Sequence, residues 1–230
     1  MYIAERSLNF IRGLLKRYGP SNVKKLLWDE EFSGNKWDFI DNTIGDCVYP
    51  HLEKHVENGS ILDFGCGPGN TANELASNVY QTYVGVDISE AALRKARKRT
   101  EESGRADKNR FVQADFLTYI PTQQFDVILF RESMYHVPLG KVKAILDRYS
   151  KYLTDRGVFI VRMSTTDSMG GKSKYRPTAM LRLMESEFEV VEKRQYGGSG
   201  PTVIVFRPRS QWRNDSAALP KGHQPEERNA

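Results

Sequence analysis

From residue 60 onward, short runs of β-branched and aromatic residues alternate with stretches whose apolar positions recur every three or four residues. The short runs are SILDFG (60–65), TYVGVDI (82–88), RFVQADF (110–116), FDVILF (125–130) and GVFIVRMS (157–164). Several are apolar almost throughout, the pattern of strands in a parallel sheet covered on both faces. The stretches between most of them predict helices. Ser89 is placed to N-cap SEAALRKARKRTEES, where Ala92, Leu93 and Ala96 form a narrow apolar stripe. Pro138 stands where a first helical residue would be, ahead of Leu139, Val142, Ile145, Leu146, Tyr149 and Leu153 at helical spacing. Another helix is predicted over 177–187, with Met180, Leu181, Leu183, Met184 and Phe188 on its inner side.

The two ends of the chain have other rhythms. Residues 1–57 read as helical, with Leu8, Ile11, Leu14 and Leu15 in one segment and Ile40, Ile44, Val48 and Leu52 in another. Near the other end, FEVVEKRQY (188–196) and TVIVFRP (202–208) flank GGSGP, which predicts two strands joined by a glycine-rich turn. An antiparallel pair after alternating strands and helices predicts an α/β fold with a mostly parallel sheet and one reversed strand. From about Arg209 the sequence is polar and loses its period, so 209–230 is expected to be a flexible tail. The expected division is an N-terminal helical extension over 1–57, the α/β domain over 58–208, and that tail.

Composition narrows the function classes. With 230 residues, 39% apolar and 27% charged, the chain is ordinary for one domain with an elaborated edge. The formal charge of +5 and pI near 9.1 permit an anionic partner but fall short of a dedicated nucleic-acid binder. Two cysteines, Cys47 and Cys66, exclude a disulfide scaffold and an all-cysteine zinc site, and fit a reducing compartment. His51 and His55 lie four apart, as a metal pair on a helix would, but no third ligand accompanies them, so no metal is expected. MYIAERSLNF lacks the apolar centre of a signal peptide, and no apolar run approaches the ~20 residues that span a bilayer. A cytoplasmic protein with no membrane partner is the expectation.

The most informative segment is ILDFGCGPGN (61–70): a strand ending in an acid, a glycine-rich turn, and a helix start near Asn70. Gly65, Gly67 and Gly69 permit a tight turn and close approach of a ligand to backbone N–H groups at a helix N-terminus. The spacing is G-x-G-x-G with Asn70 where a dinucleotide fingerprint has its third glycine, and no G-x-x-x-x-G-K-[ST] is present. Asp87 ends the next strand, where a carboxylate can accept from both hydroxyls of a ribose. Asp115 and Phe116 end the third, an acceptor for an exocyclic amine beside an aromatic face. Each acid alone reads more readily as a helix cap or loop carboxylate than as a ligand contact; in this order and spacing they read as a ligand site at the carboxyl ends of the strands.

As a set, DFGCGPGN (63–70), VGVDIS (84–89), QADF (113–116) and FDVILFRESMYHV (125–137) resemble class I S-adenosylmethionine-dependent methyltransferases, over about residues 35–208. The resemblance implies a seven-stranded, mostly parallel, doubly wound sheet with a reversed last strand, helices on both faces and an N-terminal helical lid. It implies that Asp63 and the Gly65–Gly69 turn, with Cys66 inside it, hold the methionine end of S-adenosylmethionine. Asp87 would bind the ribose and Ile88 would lie against the adenine. Asp115 would accept from the adenine amino group with Phe116 lining the ring, Arg131 would lie under the cofactor, and Trp37 would close over it or pack in a core.

A base is needed only where the methyl acceptor arrives protonated. His136, which titrates near neutrality, is the first candidate, with Glu132 and Tyr135 as base or orienting groups. RESM stands where amine-methylating nucleic-acid enzymes carry [DNS]PP[YFW], so nucleic acid is not the expected acceptor. The basic run Arg94, Lys95, Arg97, Lys98 and Arg99 leaves a protein or RNA acceptor as an alternative, though it also reads as a solvated helix face. A small-molecule acceptor is the preferred reading, enclosed by the N-terminal helices and the 165–180 loop with Gly170, Gly171, Lys172, Lys174, Tyr175 and Arg176. A non-catalytic S-adenosylmethionine-binding module is the reading from another class. Oligomeric state stays open.

Overall fold

A computed structural model of the chain describes residues 2–34, 37, 43–164 and 177–209. Its strands are β1 (Ser60–Phe64), β2 (Thr82–Asp87), β3 (Asn109–Gln113), β4 (Phe125–Arg131), β5 (Leu153–Ser164), β6 (Glu189–Gln195) and β7 (Pro201–Arg207). They form one sheet in the order β3-β2-β1-β4-β5-β7-β6. The pairs among β1–β5 are parallel, whereas β7 runs antiparallel to both β5 and β6. The last strand in the chain is thus the reversed one, inserted between β5 and the edge. The order reverses at β1, which directs the carboxyl ends of β1 and β4 into the crevice where open α/β sheets take ligands.

Helices cover both faces: α1 (Tyr2–Tyr18), α2 (Ser21–Ser33), α3 (Tyr49–Val56), α4 (Asn70–Glu74), α5 (Glu90–Glu102), α6 (Leu139–Ser150) and α7 (Pro177–Glu187). Adjacent strand residues feed opposite cores, as a period of two requires. Leu62, Phe64, Phe130, Phe159 and Phe206 pack with α6 and α7, including Tyr149 and Met180. Ile61, Leu129, Ile160 and Val205 pack on the other face with Leu52 and Val56 of α3 and with Leu75. Truncating a buried aromatic such as Phe64 costs ~3–5 kcal/mol, so these two layers fix the scaffold that carries the site.

The structure differs from the sequence reading at several boundaries. Pro138 caps α6 from outside instead of opening it, and Leu153 begins β5 instead of closing the helix. No helix forms over 44–48: Gly45 adopts φ +83°, Ile44 is 78% exposed, and Asp46 accepts from Val48 N–H to start a later helix. Ile40 lies outside the described residues, as do the 165–176 part of the predicted loop and residues 210–230 of the predicted tail. β3 ends at Gln113, so Asp115 and Phe116 stand in the turn beyond it, where Asp115 accepts from Leu117 N–H.

Candidate functional site

Asp63 leaves β1 into a turn that is built almost wholly from backbone. Gly65 and Cys66 donate to Val86 O, and Gly67 N–H donates to Asp87 Oδ2 at 2.8 Å. Asp87 Oδ1 accepts from Ser89 N–H, while Ser89 Oγ caps Ala92 N–H at the start of α5. Gly69 has φ +75°, and a Cβ there would stand 2.8 Å from Ala96 Cβ, so only glycine lets the turn lie this close to α5. Ile88 accepts from Gln113 through its carbonyl. The buried Cys66 thiol is pushed well above its ordinary value by burial and by the charges of Asp87 and Asp63, which keeps it from acting as a thiolate.

Asp63 is 1% exposed; its Oδ2 accepts from Tyr83 OH at 2.6 Å, and its Oδ1 has no partner. Burial raises this carboxyl to about 6, against the opposing Tyr83 hydrogen bond, the Arg131 charge and the nearby Thr71 hydroxyl. Burial likewise raises Asp87 to about 6, against its backbone N–H donors. A buried acceptor left open beside a glycine turn fits the ammonium of an amino-acid group, because an unpaired buried polar atom is costly until something donates to it.

Helix α2 lies across the mouth of this site and touches the segment after each of the first four strands. Phe32 comes within 3.8 Å of the point a Cβ on Gly67 would occupy. Asp29 Oδ1 accepts from Ser89 Oγ and Ala91 N–H at the head of α5. Lys24 Nζ and Ser21 Oγ both donate to Asp115 Oδ2, at 3.1 and 2.9 Å. Trp28 meets His136 edge-on, with ring centroids 5.0 Å apart. Trp37 stacks at a tilt on Trp28 and Phe32 and donates to Glu31, so it belongs to an aromatic cluster over the turn. Phe116 packs against Phe64 and Phe130, and its carbonyl accepts from Tyr149 OH.

The ends of β4 and β5 carry a different arrangement. Arg131 and Arg162 are register partners. Arg131 donates to Asp46 at 3.0 Å and to Tyr49 OH, and Arg162 joins the same Asp46 oxygen at 3.3 Å. Arg162 also binds Glu132 Oε1, while Tyr135 OH donates to Glu132 Oε2 at 2.6 Å. Glu132 adopts φ +53°, a left-handed conformation that is strained for a residue with a Cβ. His136 meets the Tyr135 ring edge-on, with centroids 5.0 Å apart, but it also meets Trp28, which belongs to α2. Burial, then the charges of Lys16, Arg17 and Lys24, lower it to about 3, with Glu31 opposing.

Asp63, the Gly65–Gly69 turn and Asp87 therefore converge, as do Arg131, Glu132 and Tyr135, while His136 and Asp115 are taken up by α2. Sequence reasoning missed Tyr83, Asp46, Tyr49, Arg162 and the α2 residues Lys24 and Asp29. Tyr83 alone left a signal, as a polar-tipped residue within an otherwise apolar strand run, two places before Gly85 on the same face. Among the described residues no group of three or more His, Cys, Asp or Glu is arranged to hold a metal. His51 and His55 both meet Glu192 instead, with Lys54 on the same carboxylate. Among these residues no helix is long and apolar enough to cross a membrane.

Comparison with known proteins agrees with this geometry. Residues 55–198, well over half of the chain, match the family described as Methyltransferase domain. A sterol 24-C-methyltransferase of Gibberella zeae is 30% identical over 100 residues, covering 43% of this chain and 26% of that protein. A ubiquinone biosynthesis O-methyltransferase of Thiobacillus denitrificans is 38% identical over 78 residues, covering 34% of this chain and 33% of its own length. The matches thus cover between a quarter and a third of these relatives. Among solved structures, an S-adenosylmethionine-dependent methyltransferase of Clostridium acetobutylicum superposes with a TM-score of 0.60 at 16% identity, covering 78% of this chain and 98% of its own, a likeness of fold. The sheet order has the class I arrangement, and the family match covers more than half of the sequence: the chain belongs to the methyltransferase-domain family.

Proposed function

We propose that this protein transfers a methyl group from S-adenosylmethionine to a small-molecule acceptor by in-line displacement, with residues 1–57 serving as a lid over the site. The observation that carries the reading is the unpartnered Asp63 Oδ1, buried beside the glycine turn. In this reading Asp63 accepts from the cofactor's ammonium, Asp87 from the ribose hydroxyls, and Asp115 from the adenine amino group. Ile88 and Phe116 flank the adenine, and Arg131 and Trp37 bound the site. The cofactor supplies a methyl carbon made electrophilic by its sulfonium; the protein's contribution is alignment and exclusion of water.

Acceptor binding falls to the β4–β5 side. His136 is a weak base under α2, because burial and three nearby cations hold it neutral. Glu132, fixed by Arg162 and Tyr135, is the better-placed proton acceptor. A small acceptor is favoured over RNA or protein because the basic run is largely spent within the chain. Arg97 pairs with Glu90, Lys98 with Glu102, and Arg99 with Glu74 and Asn70. The named relatives act in sterol and ubiquinone chemistry, which also favours a small acceptor.

The test is incubation with methyl-labelled S-adenosylmethionine and separate small-molecule, protein and RNA pools. Label in the small-molecule pool is the expected result. Label confined to protein or RNA overturns the acceptor class, and no transfer to any pool overturns the catalytic reading. Calorimetry with S-adenosylmethionine and NADH separates cofactor from acceptor: binding of NADH alone would sink the cofactor assignment.

A further inference from the structure

Helix α1 is mounted with its polar face inward. Arg12, Lys16 and Arg17 turn toward the body of the protein, where Arg12 pairs with Glu30 at 2.9 Å and Lys16 with Glu31. Lys16 also sits 3.8 Å over the Trp28 ring, and the buried Arg17 donates to Val137 O at 2.9 Å. The opposite face carries Leu8 (57% exposed), Ile11 (50%), Leu14 (38%), Leu15 (37%) and Tyr18 (63%). A surface helix ordinarily does the reverse, hiding its apolar stripe and wetting its charges. Leu8, Ile11, Leu15 and Tyr18 are spaced three, four and three apart, the spacing of a two-helix seam.

We propose that a second copy of this chain covers this face, by antiparallel pairing of the two α1 helices about a twofold axis. Charge selects the occupant. Arg12, Lys16 and Arg17 are engaged within their own chain, so the face offers little to an anionic lipid surface, and two copies meet there without like-charge repulsion. The stripe is also complementary to itself, which an isologous contact requires. Antiparallel pairing sets Leu8 opposite Tyr18 and Ile11 opposite Leu15, and it opposes the helix dipoles instead of stacking like ends. The exposed edge strand β6 is a poorer self-pairing surface, because Glu189, Glu192, Lys193 and Arg194 punctuate it. This inference stands independently of the catalytic reading. It would tie the lids of two active sites together, since the inner face of α1 rests on Glu31 and Val137 next to Trp28 and His136.

Sedimentation velocity tests it with the full chain. The wild-type protein is expected to be a dimer. The double variant Ile11→Glu, Leu15→Glu is expected to be a monomer with unchanged melting temperature and S-adenosylmethionine affinity, because both side chains are exposed. A wild-type protein that stays monomeric at its highest soluble concentration overturns the proposal, as does a double variant that remains a dimer. Vesicles of phosphatidylcholine and phosphatidylglycerol are the competing arm. Wild-type co-sedimentation that the double variant loses would assign the face to lipid and overturn the proposal. Orientation has its own readout in a Cys47→Ser background. Leu14→Cys, near the twofold, is expected to form an intermolecular disulfide under mild oxidation. Leu8→Cys, roughly 15 Å from its own copy along the pair, is not. Efficient cross-linking of both would refute the antiparallel arrangement.

Discussion

The β1–β2 edge of the site and the β4–β5 edge lie side by side on one sheet but are made of different materials. Along β1 and β2 the turn is main chain held from within: Gly65, Cys66 and Gly67 donate to Val86 O and Asp87, and one buried oxygen of Asp63 has no partner. Along β4 and β5 it is side chain: Asp46, Arg131, Arg162, Glu132 and Tyr135 pair with one another, and the buried Arg162 Nε of this group lacks an acceptor. The first edge is organised to receive a polar ligand with little rearrangement. The second must exchange internal partners for acceptor contacts, which makes it adaptable and easy to disrupt.

The sharpest way to break this contrast is Asp63→Asn. The amide keeps an acceptor for Tyr83 OH but removes the charge, so S-adenosylmethionine affinity should fall by about a hundredfold, or ~2.7 kcal/mol. Stability should move the other way. Asp63 is raised to about 6 in the folded chain from 3.8, so its contribution is fully present below pH 3.8 and lost as pH rises through 6. At pH 8 the variant should therefore melt higher than the wild type. Unchanged affinity by calorimetry would remove Asp63 from the cofactor site, and a lower melting temperature would refute the cost assigned to its burial.

Arg162→Met tests the other edge. It frees Glu132 and removes one of the two guanidinium groups on Asp46, so turnover should fall about 10- to 100-fold while cofactor affinity stays within about twofold. Arg162→Lys should recover only part of the loss, because an ammonium cannot present two donors in the guanidinium's fixed plane. If Arg162→Met weakened cofactor binding as much as Asp63→Asn, the two edges would be one unit and the comparison would fail.

The same difference in material decides what the sequence made legible. A site made of backbone needs glycines and strand-end acids at fixed spacing, so Asp63, the Gly65–Gly69 turn and Asp87 stand out in ILDFGCGPGN and VGVDIS. The apolar runs likewise foretell seven strands and a reversed hairpin, because burial on both faces leaves few polar positions. A site made of long side chains has no such spacing. Asp46 with Tyr49, Glu74, Arg131 and Arg162 come from four separate segments and meet only in the fold, where β4 and β5 are neighbours and the start of α3 and helix α4 lie against their ends. His136 shows the limit from another direction: its residue type suggests a base, but its titration is set by burial and by the cations of α1 and α2, far away in sequence.

A smaller effect should appear in the pH dependence of cofactor affinity. Asp63 and Asp87 are both raised to about 6 in the folded chain, and a bound ammonium would bring Asp63 back down. Binding then releases a proton, so affinity should be flat above pH 7 and weaken by up to about tenfold per unit below pH 6. Isothermal titration in buffers of different ionisation enthalpy reads both the affinity and the proton release. A flat profile from pH 5 to pH 8 would place the ionisation elsewhere.

The smallest change concerns the lid, and its sign is the informative part. Lys24 and Ser21 hold Asp115 Oδ2, the oxygen assigned to the adenine amino group. While that contact persists, α2 competes with the cofactor for one acceptor. Lys24→Met keeps most of the side-chain stem that packs on the site and removes only the donor. Cofactor association should then speed up, and affinity should tighten by about two- to fivefold, the worth of one partly buried ion pair. Stopped-flow tryptophan fluorescence reports it directly, because Trp28 and Trp37 sit in the cluster that must lift. Weaker binding in Lys24→Met would mean that Lys24 supports the bound state, and that α2 closes behind the cofactor instead of standing in its place.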